Sequence, residues 1–141
     1  MADTIVIRTA NPKDITIEET EGIAKAVRDL DLNCDVKVEG QQRTGYGVTL
    51  FEVLRISLVG GALWASKALA EEAAKKIMAV VVDWVRERFK GRRSGSKRPV
   101  YVAIYGPDGT IKSVVIKNGT DELEDRTEQD QQMEKNLRER K

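Results

Sequence analysis

Histidine is absent from this chain and cysteine occurs once, at Cys34. Ser-His-Asp and Cys-His nucleophile pairs therefore cannot be assembled within it, and most of the nitrogen and sulfur ligands that zinc prefers are missing. Asp, Glu, Lys, Tyr and Ser remain for chemistry, and no spacing organises them into an acid–base pair, so the expectation is a protein with no catalysis, cofactor or metal. Asp29-Leu30-Asp31-Leu32-Asn33 starts as a calcium loop does. Its sixth position is Cys34 where the sharp turn wants glycine, and its twelfth is Gly40 where a bidentate glutamate belongs. Gly45-Tyr46-Gly47 opens like a dinucleotide fingerprint but has Leu50 in place of the third glycine. Cys34 falls on the apolar phase of a strand and reads as a small buried hydrophobe. Asn118-Gly119-Thr120, formally a glycosylation acceptor, reads as a turn.

The densest charge cluster is Arg86, Arg88, Lys90, Arg92, Arg93, Lys97 and Arg98, seven cations within thirteen residues that also hold Glu87. Such a run binds phosphate backbones or anionic headgroups by counterion release, which makes Arg92, Arg93, Lys97 and Arg98 candidate anion-binding residues for nucleic acid or membrane. It suits equally the negative end of a helix dipole followed by a solvated loop. The second reading leads, because only Phe89 is at hand to stack a base.

The 141 residues carry 24 Lys plus Arg against 23 Asp plus Glu, so no global field selects a polyanion. Hydrophobic types make up 40% and aromatics 5%, enough for one modest core built from Val, Ile, Leu and Ala. A single cysteine excludes an internal disulfide framework and suits a reducing compartment. The start, Met1-Ala2-Asp3-Thr4-Ile5, has neither a basic n-region nor a long apolar run, so a cytoplasmic location is expected. The most hydrophobic stretch, 48–65, contains Glu52 and Arg55, and each charge near the centre of a span costs about 2.5–3.5 kcal/mol. A membrane-associated or pore-forming use of an apolar helix over 48–65 is therefore the third functional alternative.

Periodicity places the elements. Thr4 to Thr9 reads as a strand with Ile5 and Ile7 on one face. Thr16 and Glu19 form a capping box for a helix to about Leu30, with Ile17, Ile23, Ala24, Val27 and Leu30 inward. Asn33 to Glu39 reads as a second strand, its Cys34, Val36 and Val38 facing the core. Thr49 and Glu52 repeat the capping-box spacing, so helix is expected from about 50 to 89, broken or kinked at Gly60-Gly61. Val100 to Tyr105 and Ile111 to Lys117 form a hairpin about a three-residue Pro107-Asp108-Gly109 loop. The expected fold is α+β: a two-layer α/β sandwich with a four-stranded sheet, β-α-β-long α-β-β order and helices on one face. Residues 1–119 make the domain, and 120–141 a charged tail, helical or disordered.

Two surfaces are candidates for contact. Tyr101 and Tyr105 share a strand phase, with Ile111 and Val115 expected beside them across the turn, and this face suits a protein partner. The helix 77–89 is apolar nearly all round, so Val81, Trp84 and Val85 are candidates for self-association into a homo-oligomer.

The N-terminal βαβ unit, the helix-forming Gly60-Gly61-Ala62-Leu63-Trp64, the basic helix end 86–93 and the hairpin Val100-Tyr101-Val102-Ala103-Ile104-Tyr105-Gly106-Pro107-Asp108-Gly109-Thr110 together resemble the effector-associated constant component family. The likeness covers about residues 4–118. It implies a small α+β protein encoded beside variable effectors, often proteases, in bacterial conflict and defence operons, where it supplies a shared non-catalytic component. No catalytic residue carries over. The expected function is thus a non-enzymatic adaptor or regulatory component whose partner is an effector such as a nearby-encoded protease. One departure is a helix more charged (Glu71, Glu72, Lys75, Lys76) than the family's usual Ala/Leu run, which argues against direct membrane association.

Overall fold

The computed structural model describes residues 3–9, 15–39, 51–91, 98–118 and 123–139. The chain runs β1 (Thr4–Thr9), α1 (Ile17–Arg28), β2 (Asp35–Val38), β3 (Glu52–Val59), α2 (Lys67–Gly91), β4 (Val100–Gly106), β5 (Gly109–Ile116), β6 (Leu123–Asp125), α3 (Thr127–Glu139). The strands form one mixed sheet in the order β2-β1-β3-β4-β5-β6. β1 is parallel to β2 and antiparallel to β3, β3 is parallel to β4, and β4, β5 and β6 follow antiparallel. The α+β class stands, but the four-stranded sheet is corrected to six strands.

The first extra strand is β3, in the stretch expected to be helical. Glu52-Val53-Leu54-Arg55-Ile56-Ser57-Leu58-Val59 alternates strictly, with Glu52, Leu54, Ile56 and Leu58 buried. A period of two is the strand's own. Glu52 is no cap residue: it opens β3 and is fully buried. No apolar helix over 48–65 exists for a membrane-associated or pore-forming reading, since 52–59 is strand and 61–65 is turn. Among the described residues no helix is long and apolar enough to cross a membrane.

Gly60 and Gly61 divide strand from helix rather than kinking a helix, with φ of 76° and 67°. Position 61 also demands glycine on space, because a Cβ there would lie 1.7 Å from Asp3 Oδ1. That same oxygen accepts the Leu63 amide at 3.0 Å, tying the turn to the start of β1. Ser66 then caps α2, its Oγ accepting from Leu69 N at 3.3 Å.

One face of the sheet carries the core. Ile5, Ile7, Leu54, Ile56, Val100, Val102, Ile104, Val114 and Ile116 meet Ile23, Ala24 and Val27 of α1 and Ala70, Ala74, Ile77, Val81 and Val85 of α2. The α1 capping box is present as expected, Thr16 Oγ1 accepting from Glu19 N and Glu19 Oε1 from Thr16 N. Ile17 departs from the expected inward set, being exposed. The helices do not all lie on one face. α3 packs on the opposite side, against β5, through residues that bond Tyr101, Thr110 and Ser113. The charged C-terminal stretch, expected outside the domain, supplies both β6 and α3.

Candidate functional site

The two faces of β4 and β5 divide sharply. Val100 pairs with Ile116 and Val102 with Val114 toward the core; Tyr101 pairs with Val115 and Ala103 with Ser113 on the outer face. The hairpin closes through Gly106↔Gly109, so its loop is the two residues Pro107 and Asp108 rather than three. The register shifts by one at Ile104/Tyr105, which leaves Ile111 as the extra residue of a bulge. Ile111 therefore turns away from the tyrosines and packs against the inner core cluster. Of the four expected partner-binding residues, Tyr101, Tyr105 and Val115 share the outer face and Ile111 does not.

That outer face already has an occupant. Asp130 of α3 accepts from Tyr101 Oη and, at 2.6 Å, from Ser113 Oγ. Glu134 accepts from the Thr110 amide at 3.0 Å, and Gln131 donates to the Thr110 carbonyl at 2.9 Å. Thr127 Oγ1 accepts from the Ser113 amide at 3.0 Å. Burial, with the Asp130 carboxylate next, pushes the Tyr101 hydroxyl above the ordinary phenol range. Burial also raises Tyr105, against the pull of the Arg55 guanidinium beside it. No residue of α3 is buried, so this helix is held by polar bonds to the sheet rather than by an apolar stripe.

Over β1 and β3 the same face carries a different chemistry. Arg8 and Arg55 stand directly opposite across the antiparallel pair, and both are exposed. Like charges so placed oppose pairing. Arg8 is relieved on one side by Glu39, 2.7 Å away. Lys37 adds a third cation beside Val6, which itself continues through Ser57 to Tyr105 across the sheet. Val59 is 42% exposed on this face, while Met133 and Leu137 of α3 are 62% and 57% exposed.

The other expected sites fare differently. Val81 and Val85 are fully buried in the core and so are not at the surface, while Trp84 packs partly buried against it. Their apolar girdle is consumed by the sheet and by α1. Arg92, Arg93, Lys97 and Gly45-Tyr46-Gly47 lie outside the described residues; Arg98 is described, half-buried and partnered. Arg88 leaves the basic run altogether. Its side chain, 6% exposed, donates to the fully buried Glu52 at 2.9 Å and to Glu19. Burial would lower the Arg88 guanidinium, but the two carboxylates outweigh it and hold it above its usual value. Burial likewise works to raise Glu19, and its bonds from Arg88 and Thr16 leave it below the usual carboxylate range. This triad joins α1, β3 and α2, and one sequence signal could have found it: a glutamate in the apolar phase of an alternating strand requires a cation.

Cys34 is half-buried rather than buried, and its thiol is pushed up by burial and then by Asp3 and Asp35. Among the described residues no cluster of three or more acidic, Cys or His side chains could hold a metal. A cleft of about 720 Å³ opens between the start of α2, the hairpin turn and α3. Lys67, Lys135 and Arg138 share its lining with Glu71, Asp108, Glu134 and Glu139, so the two signs are interspersed with one carboxylate in excess. Trp64 lines it, but its indole N–H is sealed from solvent without an acceptor. Comparison with family models, curated proteins and solved structures yields no match for this chain.

Proposed function

We propose that this protein is a non-enzymatic adaptor or regulatory component that acts by binding another protein. The observation that carries the reading is the unequal covering of the outer sheet face. α3 packs on it against β5 and bonds Tyr101 of β4, while Arg8, Arg55 and Val59 are exposed over β1 and β3 around the buried Val6, and Met133 and Leu137 of α3 are exposed as well. Apolar groups rimmed by exposed charge on a rigid sheet form a contact surface. The hairpin tyrosines serve as the seat of α3 and steady the surface's edge. With the likeness noted in the sequence, the proposal extends to a cytoplasmic component of a bacterial conflict or defence system whose partner is an effector, such as a protease, encoded nearby.

Co-expression with the products of the adjacent genes tests this. One of them should co-elute with the parent and be lost from the variant Val59→Asp/Met133→Asp, whose circular dichroism and melting should match the parent's. Retention by the folded variant removes this face from the proposal. Replacing Arg92, Arg93, Lys97 and Arg98 with Ser should leave that binding intact. If the parent instead binds nucleic acid or anionic vesicles and this second variant does not, the basic segment is the functional surface.

A further inference from the structure

We infer that the strip of exposed Arg8, Arg55 and Val59 over β1 and β3 receives an acidic amphipathic helix of a partner protein, laid beside α3 with carboxylates on Arg8, Arg55 and Lys37. This rests on the protein-binding reading above and names the partner's chemistry. Three observations select it.

The first is charge. Arg8 faces Arg55 across the strand pair and Lys37 follows on β2; among the described residues Glu39 is bonded to Arg8 and Asp35 stands two residues before Lys37 on the same face, so cations outnumber carboxylates three to two. A cross-strand pair of like charges costs stability in the free protein, and a docked carboxylate turns that cost into attraction.

The second is shape. Strands lie about 4.7–4.9 Å apart, so β1 and β3 together offer about 10 Å of width, the diameter of one helix. At about 100° per residue, Met133 and Leu137 lie within about 60° of Asp130 on the side of α3 away from Gln131. Asp130 reaches β4 through Tyr101 and Gln131 reaches β5 through Thr110, so that side looks toward β3. Met133 and Leu137 therefore present apolar surface on the β3-facing side of α3, and Val59 presents it at the end of β3.

The third is precedent within the molecule. α3 shows how this face takes a helix, through carboxylates and small polar groups bonding to what the strands present (Asp130 on Tyr101 and Ser113, Glu134 on the Thr110 amide). A neighbouring helix of the same character extends the layer.

The probes are three synthetic helical peptides of equal length: an amphipathic Glu/Leu/Ala sequence, its Lys/Leu/Ala counterpart, and a scrambled Glu/Leu/Ala control. Backbone amide shifts of the full chain should move on β1, β3 and the Met133–Leu137 side of α3 with the acidic amphipathic peptide and with neither of the others. Arg8→Glu/Arg55→Glu should weaken that peptide at least tenfold and acquire the basic one; Arg55→Ser gives the milder loss should the double variant fold poorly. Lys75→Glu/Lys76→Glu, exposed on α2, should change nothing. No binding by the acidic peptide, binding unaffected by Arg55→Ser, or occupation of the strip by a second copy in light scattering overturns the inference. If an adjacent effector still binds while the acidic peptide does not, the inference falls and the protein-binding reading survives.

Discussion

Two residue-level arrangements carry more of this fold than their neighbours. Arg88 neutralises a fully buried glutamate, and removing one partner of a buried pair costs about 3–5 kcal/mol because the other charge is stranded. Arg88→Met should therefore lower the urea midpoint sharply. Arg88→Met combined with Glu52→Leu should recover most of the loss, since an apolar pair of similar volume replaces the ions. Equal destabilisation in the single and double variants would mean that the pair itself, rather than the stranded carboxylate, sets the cost. Gly61 is the second case. With φ at 67° and the Asp3 carboxylate where a Cβ would sit, Gly61→Ala should cost more than about 1 kcal/mol. Asp3→Ala forfeits the bond to Leu63 N, yet frees that space, so the double variant should be more stable than the sum of the two singles; additivity in denaturant titrations would deny the contact.

At the scale of elements, α3 is the least expected and the most sensitive to conditions. Its start is fixed by Asp125, which accepts from Lys112 Nζ at 2.8 Å and from the Thr127 amide at 2.9 Å. The Lys112 bond foremost, then those from Thr127, hold the Asp125 carboxyl at about 2. A carboxylate depressed on folding stabilises the folded state above its unfolded value of about 3.9, and that contribution disappears as pH falls toward 2. Amide exchange on α3 should accelerate across this window before that of β1 or β3, and Asp125→Asn should show the faster exchange already at neutral pH with the acid step removed. Uniform exchange across the molecule would place α3 in the same cooperative unit as the core. The element's existence was half legible, since its polarity shows that no apolar stripe could anchor it. What the reading lacked was the alternative anchor, Asp130 and Glu134 meeting hydroxyls and an amide of β4 and β5 far away in sequence. β3 failed for the opposite reason. Its alternation was in plain sight, but Glu52 sat in the apolar phase and matched a helix-cap spacing with Thr49, and it is Arg88, 36 residues later, that neutralises the buried carboxylate there.

For the whole molecule, the outer face ties stability to function. Removing residues 120–141 should leave the inner core of β1–β5, α1 and α2 folded, while uncovering Ala103, Val115 and Ser113, which the intact chain buries completely. The truncated chain should bind a hydrophobic dye and self-associate in light scattering, whereas the full chain should do neither; a dye-silent, monomeric truncation would show that β6 and α3 cover nothing. By itself the sequence determined what depends on neighbours along the chain. That comprises the Thr16–Glu19 capping box, the inward Ile5 and Ile7 of β1, and the division of Val100, Val102, Val114 and Ile116 from Tyr101. These are set by local periodicity and hydrogen-bond spacing. Tertiary structure alone decided which apolar faces are consumed and which remain. It sent Val81 and Val85 into the core, turned Ile111 inward through a one-residue bulge, took Arg88 out of the basic run, and laid α3 over the tyrosines. Each of these is a pairing across tens of residues, where burial of one group is favourable only once a distant partner supplies the complementary charge, donor or surface.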